Sequence, residues 1–158
     1  MKKNNKGFSL VELIVVVLIL GILAVAVTPQ IMNWINKSKI AKDEAYAGSV
    51  ATAIESVTLE YLGKNNNAAI ANTIEIYKTT VSGKDVAKLR GKKTGDSTTT
   101  DPADGTTFNL AKYLYDVQAM IGEDKLAFPE QSNRNKFLIT VTPDATTSTV
   151  NVKVEATN

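Results

Sequence analysis

The sequence predicts an α+β protein built on one long, kinked N-terminal helix whose second half packs on a small antiparallel sheet. Three observations predict it. The fifteen residues Leu13–Val27 carry no charge, and beyond Pro29 apolar residues continue at helical spacing. The C-terminal part instead alternates apolar and polar residues, first at Phe137, Ile139 and Val141, then at Val150, Val152 and Val154. A chain of 158 residues can also hold one modest core besides its N-terminal segment.

Composition removes several classes of function. Lysine plus arginine number 18 against 16 acids, a net charge of +2, but Lys2, Lys3 and Lys6 all precede the apolar run. Without the first seven residues, 15 basic groups face 16 acidic ones, so the body of the chain is not a strongly basic protein. Cysteine and histidine are both absent. Disulfides, nearly all the usual zinc sites and the Ser-His and Cys-His nucleophile pairs are therefore excluded. No phosphate-cradling glycine loop and no paired carboxylates at a catalytic spacing occur. Neither an enzyme nor a cofactor or metal site is expected.

Taken in order, Phe8–Val27 is 20 residues, which as a helix spans about 30 Å, the thickness of a bilayer's hydrocarbon core. One carboxylate, Glu12, stands inside this region, where ionisable groups are costly and usually functional. Pro29 cannot donate to the carbonyl of Val25 and crowds it, which predicts a kink. Gly21 lowers local helix stability by ~1 kcal/mol relative to alanine. Ile31, Ile35, Tyr46, Val50, Ile54, Val57 and Tyr61 then recur at three- and four-residue steps, an apolar stripe for the domain's own sheet to cover. Gly63 and Lys64-Asn65-Asn66-Asn67 end the helix, so Phe8–Leu62 is one element of about 80 Å.

Ala68–Val81 reads as a short helix or turn running into a strand that contains Ile74, Ile76 and Lys78–Val81. Lys84–Leu89 reads as a helical turn or two ending at Gly91. Lys92–Thr107 is a Gly/Thr/Asp/Pro-rich loop. Asn109 caps a helix from Leu110 to about Ile121, which Gly122 stops. Pro143-Asp144-Ala145-Thr146 has turn chemistry and joins the two alternating segments into a hairpin, which needs a third strand and a helix to bury its apolar face.

Three minor features have mostly structural readings. Lys84, Lys88, Arg90, Lys92 and Lys93 put five basic residues in ten positions, offset by Asp85. Clustered cations can neutralise phosphates, so DNA is a conceivable partner. It ranks behind a solvated face, or acids on a neighbouring subunit, because no aromatic residues are interleaved for stacking. Asp101 and Asp104 beside Gly105 do not match the twelve-residue calcium loop and suit a turn instead. Asn36-Lys37-Ser38 is a glycosylation-type triplet within predicted helix.

The N-terminal segment admits three readings. A basic start, an apolar middle and Ala24-Val25-Ala26 compose a secretory signal peptide, with Val27 first in the mature chain. A plain single-pass anchor also fits, and its orientation is open because Lys37, Lys39 and Lys42 balance the leading lysines. The third reading uses Gly7-Phe8-Ser9-Leu10-Val11-Glu12 together with the apolar run, Gly21 and Pro29. Over Lys6–Asn36, about a fifth of the chain, this resembles the N-terminus of type IV pilins and pseudopilins.

The resemblance implies a leader, residues 1–7, that a prepilin peptidase removes between Gly7 and Phe8, with N-methylation of Phe8. Residues 8–34 become a transmembrane and filament-core helix, and residues 35–158 a globular head with a pilin-like roll. It further implies that the Phe8 amine meets Glu12 of a neighbouring subunit and sets axial register. Physics supports such a pairing, since amine and carboxylate are both poorly solvated in hydrocarbon and each relieves the other. Glu12 could instead snorkel to the interface. The stretch between Gly21 and Pro29 would curve or unwind on assembly.

The implied partners are further copies in a helical filament, the peptidase, the membrane before assembly, and the inner-membrane platform and ATPase of a pilus machine. The implied location is the cytoplasmic membrane first and the cell surface afterwards. The implied function is a pilus subunit serving adhesion, surface motility or aggregation. The alternatives are a minor pilin or pseudopilin of a secretion or DNA-uptake machine, or a secreted or anchored binding domain with an ordinary signal peptide. Many Gram-negative relatives close a C-terminal loop with a disulfide; here some other contact must hold that end.

Overall fold

The computed structural model describes residues 8–64, 69–105, 107, 109–131, 133–144, 146–147 and 149–158. Helix α1 (Leu10–Gly63) is followed by strands β1 (Thr73–Val81) and β2 (Lys84–Lys92), helix α2 (Leu110–Ile121), a short 3-10 turn at Glu123–Lys125, and strands β3 (Lys136–Asp144) and β4 (Thr149–Thr157). A long N-terminal helix with a small antiparallel sheet is the predicted α+β class. The chain divides into two compact units, Met1–Ser38 and Lys39–Asn158.

In the first unit, α1 runs through Pro29 as continuous helix. The Thr28 hydroxyl donates to the Ala24 carbonyl at 2.8 Å, one residue before the Val25 carbonyl that Pro29 leaves without a helical donor. Large apolar side chains are exposed all along this segment, from Phe8 to Ile35. Ile31 and Ile35 are 50% and 37% exposed. The predicted stripe is therefore covered only from its Tyr46 end, and its first two members correct the expectation that the sheet covers all of it.

The second unit holds the core. Val50, Ile54, Val57 and Tyr61 of α1 pack with Ile74, Ile76, Leu89, Phe137, Ile139 and Val141 from the sheet and with Tyr113, Leu114 and Val117 from α2. Tyr46 and Phe137 rings lie 5.1 Å apart, and Tyr61 meets Tyr113 edge-on at 5.2 Å. Two hydroxyl contacts tie α1 to α2 inside this apolar region. Thr58 Oγ1 and the Tyr113 hydroxyl lie 2.8 Å apart, and the Tyr61 hydroxyl donates to Asp116 at 2.7 Å.

All strand pairings are antiparallel, in the order β2-β1-β3-β4. Ile74 sits opposite Gly91 and Ile139, and Ile76 opposite Leu89 and Phe137, so alternate residues on three strands point into one core. Pro143 pairs with Val150 beyond the part of β3 that bonds β1, a place where its missing N–H costs no ladder bond. Asp144 accepts from the N–H groups of Thr146 and Thr147, the expected turn chemistry at that corner. The Thr147 side chain first, and then those backbone bonds, hold its carboxyl below the usual range.

Lys84–Leu89 corrects the sequence reading: it is strand, not helix. Ser82 and Gly83 both have positive φ, 52° and 77°. They form a two-residue hairpin turn whose twist matches the flanking strands. Pairing with β1 from Val81–Lys84 to Thr73–Lys92 then overrides the helix-like spacing of Val86 and Leu89. The region before β1 agrees with a short turn running into a strand: Ala69 has 3-10 backbone, and Ile70 and Ala71 are buried in irregular backbone ahead of Thr73. Asn109 does cap α2, accepting from the Lys112 N–H at 2.9 Å, and Gly122 stops it at φ 92°.

Candidate functional site

Gly7 lies outside the described residues. Phe8 is 86% exposed and immediately precedes the helix. Glu12 stands in the first turn of α1, and its carboxylate accepts the Ser9 backbone N–H at 3.1 Å. This is one half of a capping box: an N3 glutamate reaching back to an N-cap serine, next to the positive end of the helix dipole. Sequence reasoning weighed pairing and snorkelling for Glu12 but missed this local bond, although Ser9-x-x-Glu12 carries its signature. One carboxylate oxygen is thus engaged within the chain, and the other has capacity to spare.

Gly21 is open on its Cβ side, with nothing within 4 Å. Its place in α1 therefore reflects no close packing within the single chain. From Leu10 to Val27 the exposed face is apolar apart from Glu12, and α1 is the one helix among the described residues long and apolar enough to cross a membrane.

The basic residues separate once β2 is known. Lys84, Lys88, Arg90 and Lys92 fall on the sheet face opposite the core, whereas Lys93 lies past the strand's end. Glu75, Tyr77 and Lys136 join them from β1 and β3. Arg90 donates to Glu75 at 2.9 Å and lies 4.3 Å over the Tyr77 ring, while Lys136 approaches Glu75 at 3.7 Å. These three neighbours were invisible to a reading that took the segment as helix. Asp85, on the other face, bonds Lys78 and Thr80, which lowers its carboxyl pKa.

Asp104 accepts the Gly105 N–H at 2.8 Å, consistent with a turn, and no grouping of three or more potential metal ligands occurs among the described residues. A cleft of about 390 Å³ beside β2 is lined by Lys88, Leu89, Asp101, Asp104, Tyr115 and Glu123 among others.

The C-terminal end is held by the pairing of β4 with β3, and the segment ahead of those strands is held by α1. Asp43, only 5% exposed, accepts from the Glu130 N–H at 2.9 Å and the Gln131 side-chain amide at 3.0 Å. One turn on, the Tyr46 hydroxyl accepts the Ala127 N–H at 3.0 Å, and Lys42 pairs with Glu130 at 3.2 Å. Burial raises the Tyr46 pKa despite that backbone bond. Lys42, Asp43 and Tyr46 of α1 thus clamp residues 127–131.

A membrane-length helix with an acid one turn inside it, continued into an α+β head, defines a class of anchored subunit. Residues 2–28 match a family described as "Prokaryotic N-terminal methylation motif". Over 60 residues the chain is 43% identical to "Type IV major fimbrial protein FimA" of Dichelobacter nodosus, covering 38% of each chain. It is 38% identical over 58 residues to "Fimbrial protein" of Pseudomonas aeruginosa, covering 37% of this chain and 38% of that one. It is also 36% identical over 59 residues to "Type II secretion system core protein G" of the same species, covering 37% and 42%. Over its N-terminal stretch the chain is similar to type IV fimbrial proteins and to a type II secretion core protein. It spans about two fifths of the length of the curated relatives it matches. No solved structure matches. The likeness is to structural fimbrial and pseudopilin proteins rather than to enzymes.

Proposed function

We propose that this protein is the structural subunit of a type IV pilus. It is made as a prepilin, cut between Gly7 and Phe8, N-methylated on Phe8, and polymerised through the helix that begins there. The observation that carries this reading is the bare apolar face of α1 with Glu12 one turn from Phe8, in the same segment where the likeness to fimbrial proteins lies. Leaving lipid for a filament core exchanges one apolar surrounding for another, so packing and polar pairing must direct assembly. An amine on Phe8 and the Glu12 carboxylate of a neighbour supply that direction. Once water is the alternative, each buried Leu, Ile, Val or Phe contributes roughly 1.5–3 kcal/mol to cohesion.

Gly21 and Pro29 leave the middle of the segment weakly held, which suits unwinding during extrusion. The subunit would wait in the cytoplasmic membrane, with a platform protein and an ATPase driving extrusion, and end on the cell surface in adhesion, motility or aggregation. The likeness to a type II secretion core protein supports a second reading as a pseudopilin.

Amino-terminal analysis of the mature protein tests processing: N-methylated Phe8 is expected, and a chain beginning at Val27 would mean an ordinary signal peptide. Glu12→Ala should leave cleavage intact and stop filament growth; normal filaments from that variant would remove Glu12 from register. Electron microscopy of a strain lacking the gene separates pilin from pseudopilin, since only the former predicts loss of surface fibres.

A further inference from the structure

Strand β2 is an edge of the sheet, and the function above makes no use of that edge. Gly91 exchanges backbone bonds with Thr100, at 2.9 and 2.7 Å, so its N–H and C=O point away from β1. By the alternation of an antiparallel ladder, the N–H and C=O of Leu89, Ala87 and Asp85 point the same way. None of these groups has a hydrogen-bond partner among the described residues. Leu89 is only 2% exposed. An unpaired N–H and C=O on such a residue is rare, because a buried backbone group without a partner costs about as much as a lost hydrogen bond.

The ladder stops for a covalent reason. Its next pair would set Pro102 opposite Leu89, and proline has no N–H to give the Leu89 carbonyl. The Ala103 N–H is bonded instead to the Ala111 carbonyl of α2, at 3.1 Å. Residues 101–104 thus leave β2 for α2, and the cleft of about 390 Å³ opens beside the unpaired edge at Ala87 and Leu89.

We propose that this slot takes an extended, cationic peptide as a fifth strand of the sheet, antiparallel to β2. Asp101, Asp104 and Glu123 line it. Asp101 and Glu123 form no ion pair among the described residues, and Lys112 approaches Asp104 at 3.9 Å. Lys88 is the one cation in the lining, and its side chain belongs with Arg90 to the other face of the sheet. Tyr115 and Leu126 add apolar surface. Backbone bonds hold any extended chain, and the carboxylates select one whose inward side chains are positive.

The test uses fluorescein-labelled Thr-Lys-Thr-Val-Thr-Lys amide, followed by anisotropy against the full chain in a non-ionic detergent. In an antiparallel ladder, residues opposite Ala87 and Leu89 share both their bonding direction and their side-chain face. The lysines and the valine therefore point into the cleft, with their N–H groups on β2. N-methylating those amides should weaken binding roughly tenfold or more, whereas N-methylating the threonine amides should change it little. Ala87→Pro removes one outward donor, leaves the bonds to β1 in place and should lose most binding. Asp101→Asn/Glu123→Gln should bind about fivefold more weakly at low salt.

Equal effects of the two methylation patterns would overturn the proposal, and that comparison uses the unaltered protein, so it decides even if Ala87→Pro fails to fold. Equal or tighter binding of the same peptide with glutamate in place of lysine would overturn it too. So would self-association of the full chain that Ala87→Pro abolishes, without any peptide binding, since the edge would then belong to a second copy. The assay needs neither processing nor filament growth, so it can fail while the pilus reading stands, and the reverse.

Discussion

Asp43 shows what one residue does in this chain. It sits near the start of the head on a helix that is apolar over its preceding half, and it is nearly buried. Its two oxygens satisfy a backbone N–H and a side-chain amide of residues more than 80 positions away. Asp43→Ala leaves two part-buried donors without their acceptor and should cost about 1 kcal/mol. Urea unfolding checks the magnitude, and faster proteolysis within residues 127–131 checks the location. Nothing in the sequence distinguished Asp43 from Glu44 beside it; only the return of residues 127–131 to α1 does. Glu12 is the opposite case. Its placement in an oily run made it conspicuous, and its bond to Ser9 follows from a local pattern.

At the scale of elements, local rules succeeded where a segment's own chemistry sets its state. The ends of α2 follow from Asn109 and Gly122, and the β3–β4 hairpin follows from alternation and Asp144. They failed at β2, where Lys84–Leu89 reads as a helical turn or two. The decisive information lay in the Ser82-Gly83 turn and in a partner strand that supplies every hydrogen bond across the pair. Gly91 then has a second reason to be glycine. A Cβ there would come within 2.7 Å of Leu114 and 3.0 Å of the Thr73 carbonyl oxygen. Gly91 also exchanges two backbone bonds with Thr100, at 2.9 and 2.7 Å. Gly91→Ala should therefore destabilise the head by about 1–3 kcal/mol, because the carbonyl cannot move aside. A lowered denaturation midpoint with unchanged slope is the expected result.

For the whole molecule, the head's stability should fall in alkali. Burial lifts the Tyr113 phenol to about 12, against the partial lowering by its bond with Thr58. Tyr61 is raised as well, first by burial and then by the Asp116 carboxylate that accepts its proton. An unfolded tyrosine ionises near pH 10, so above that pH the unfolded chain sheds protons that the folded one keeps. Stability is full below pH 10 and declines as pH rises towards 12, by about 2–3 kcal/mol for Tyr113 alone. Phenolate absorbance at 295 nm should appear in step with loss of ellipticity; ionisation well before unfolding would place these hydroxyls in water.

The clamp on residues 127–131 has a further consequence. Built from a carboxylate, a phenol and backbone amides, it needs no oxidant to close. Thiol reagents cannot open it. A head made this way is finished on either side of a redox boundary, and what could loosen it is competition for hydrogen bonds rather than electrons.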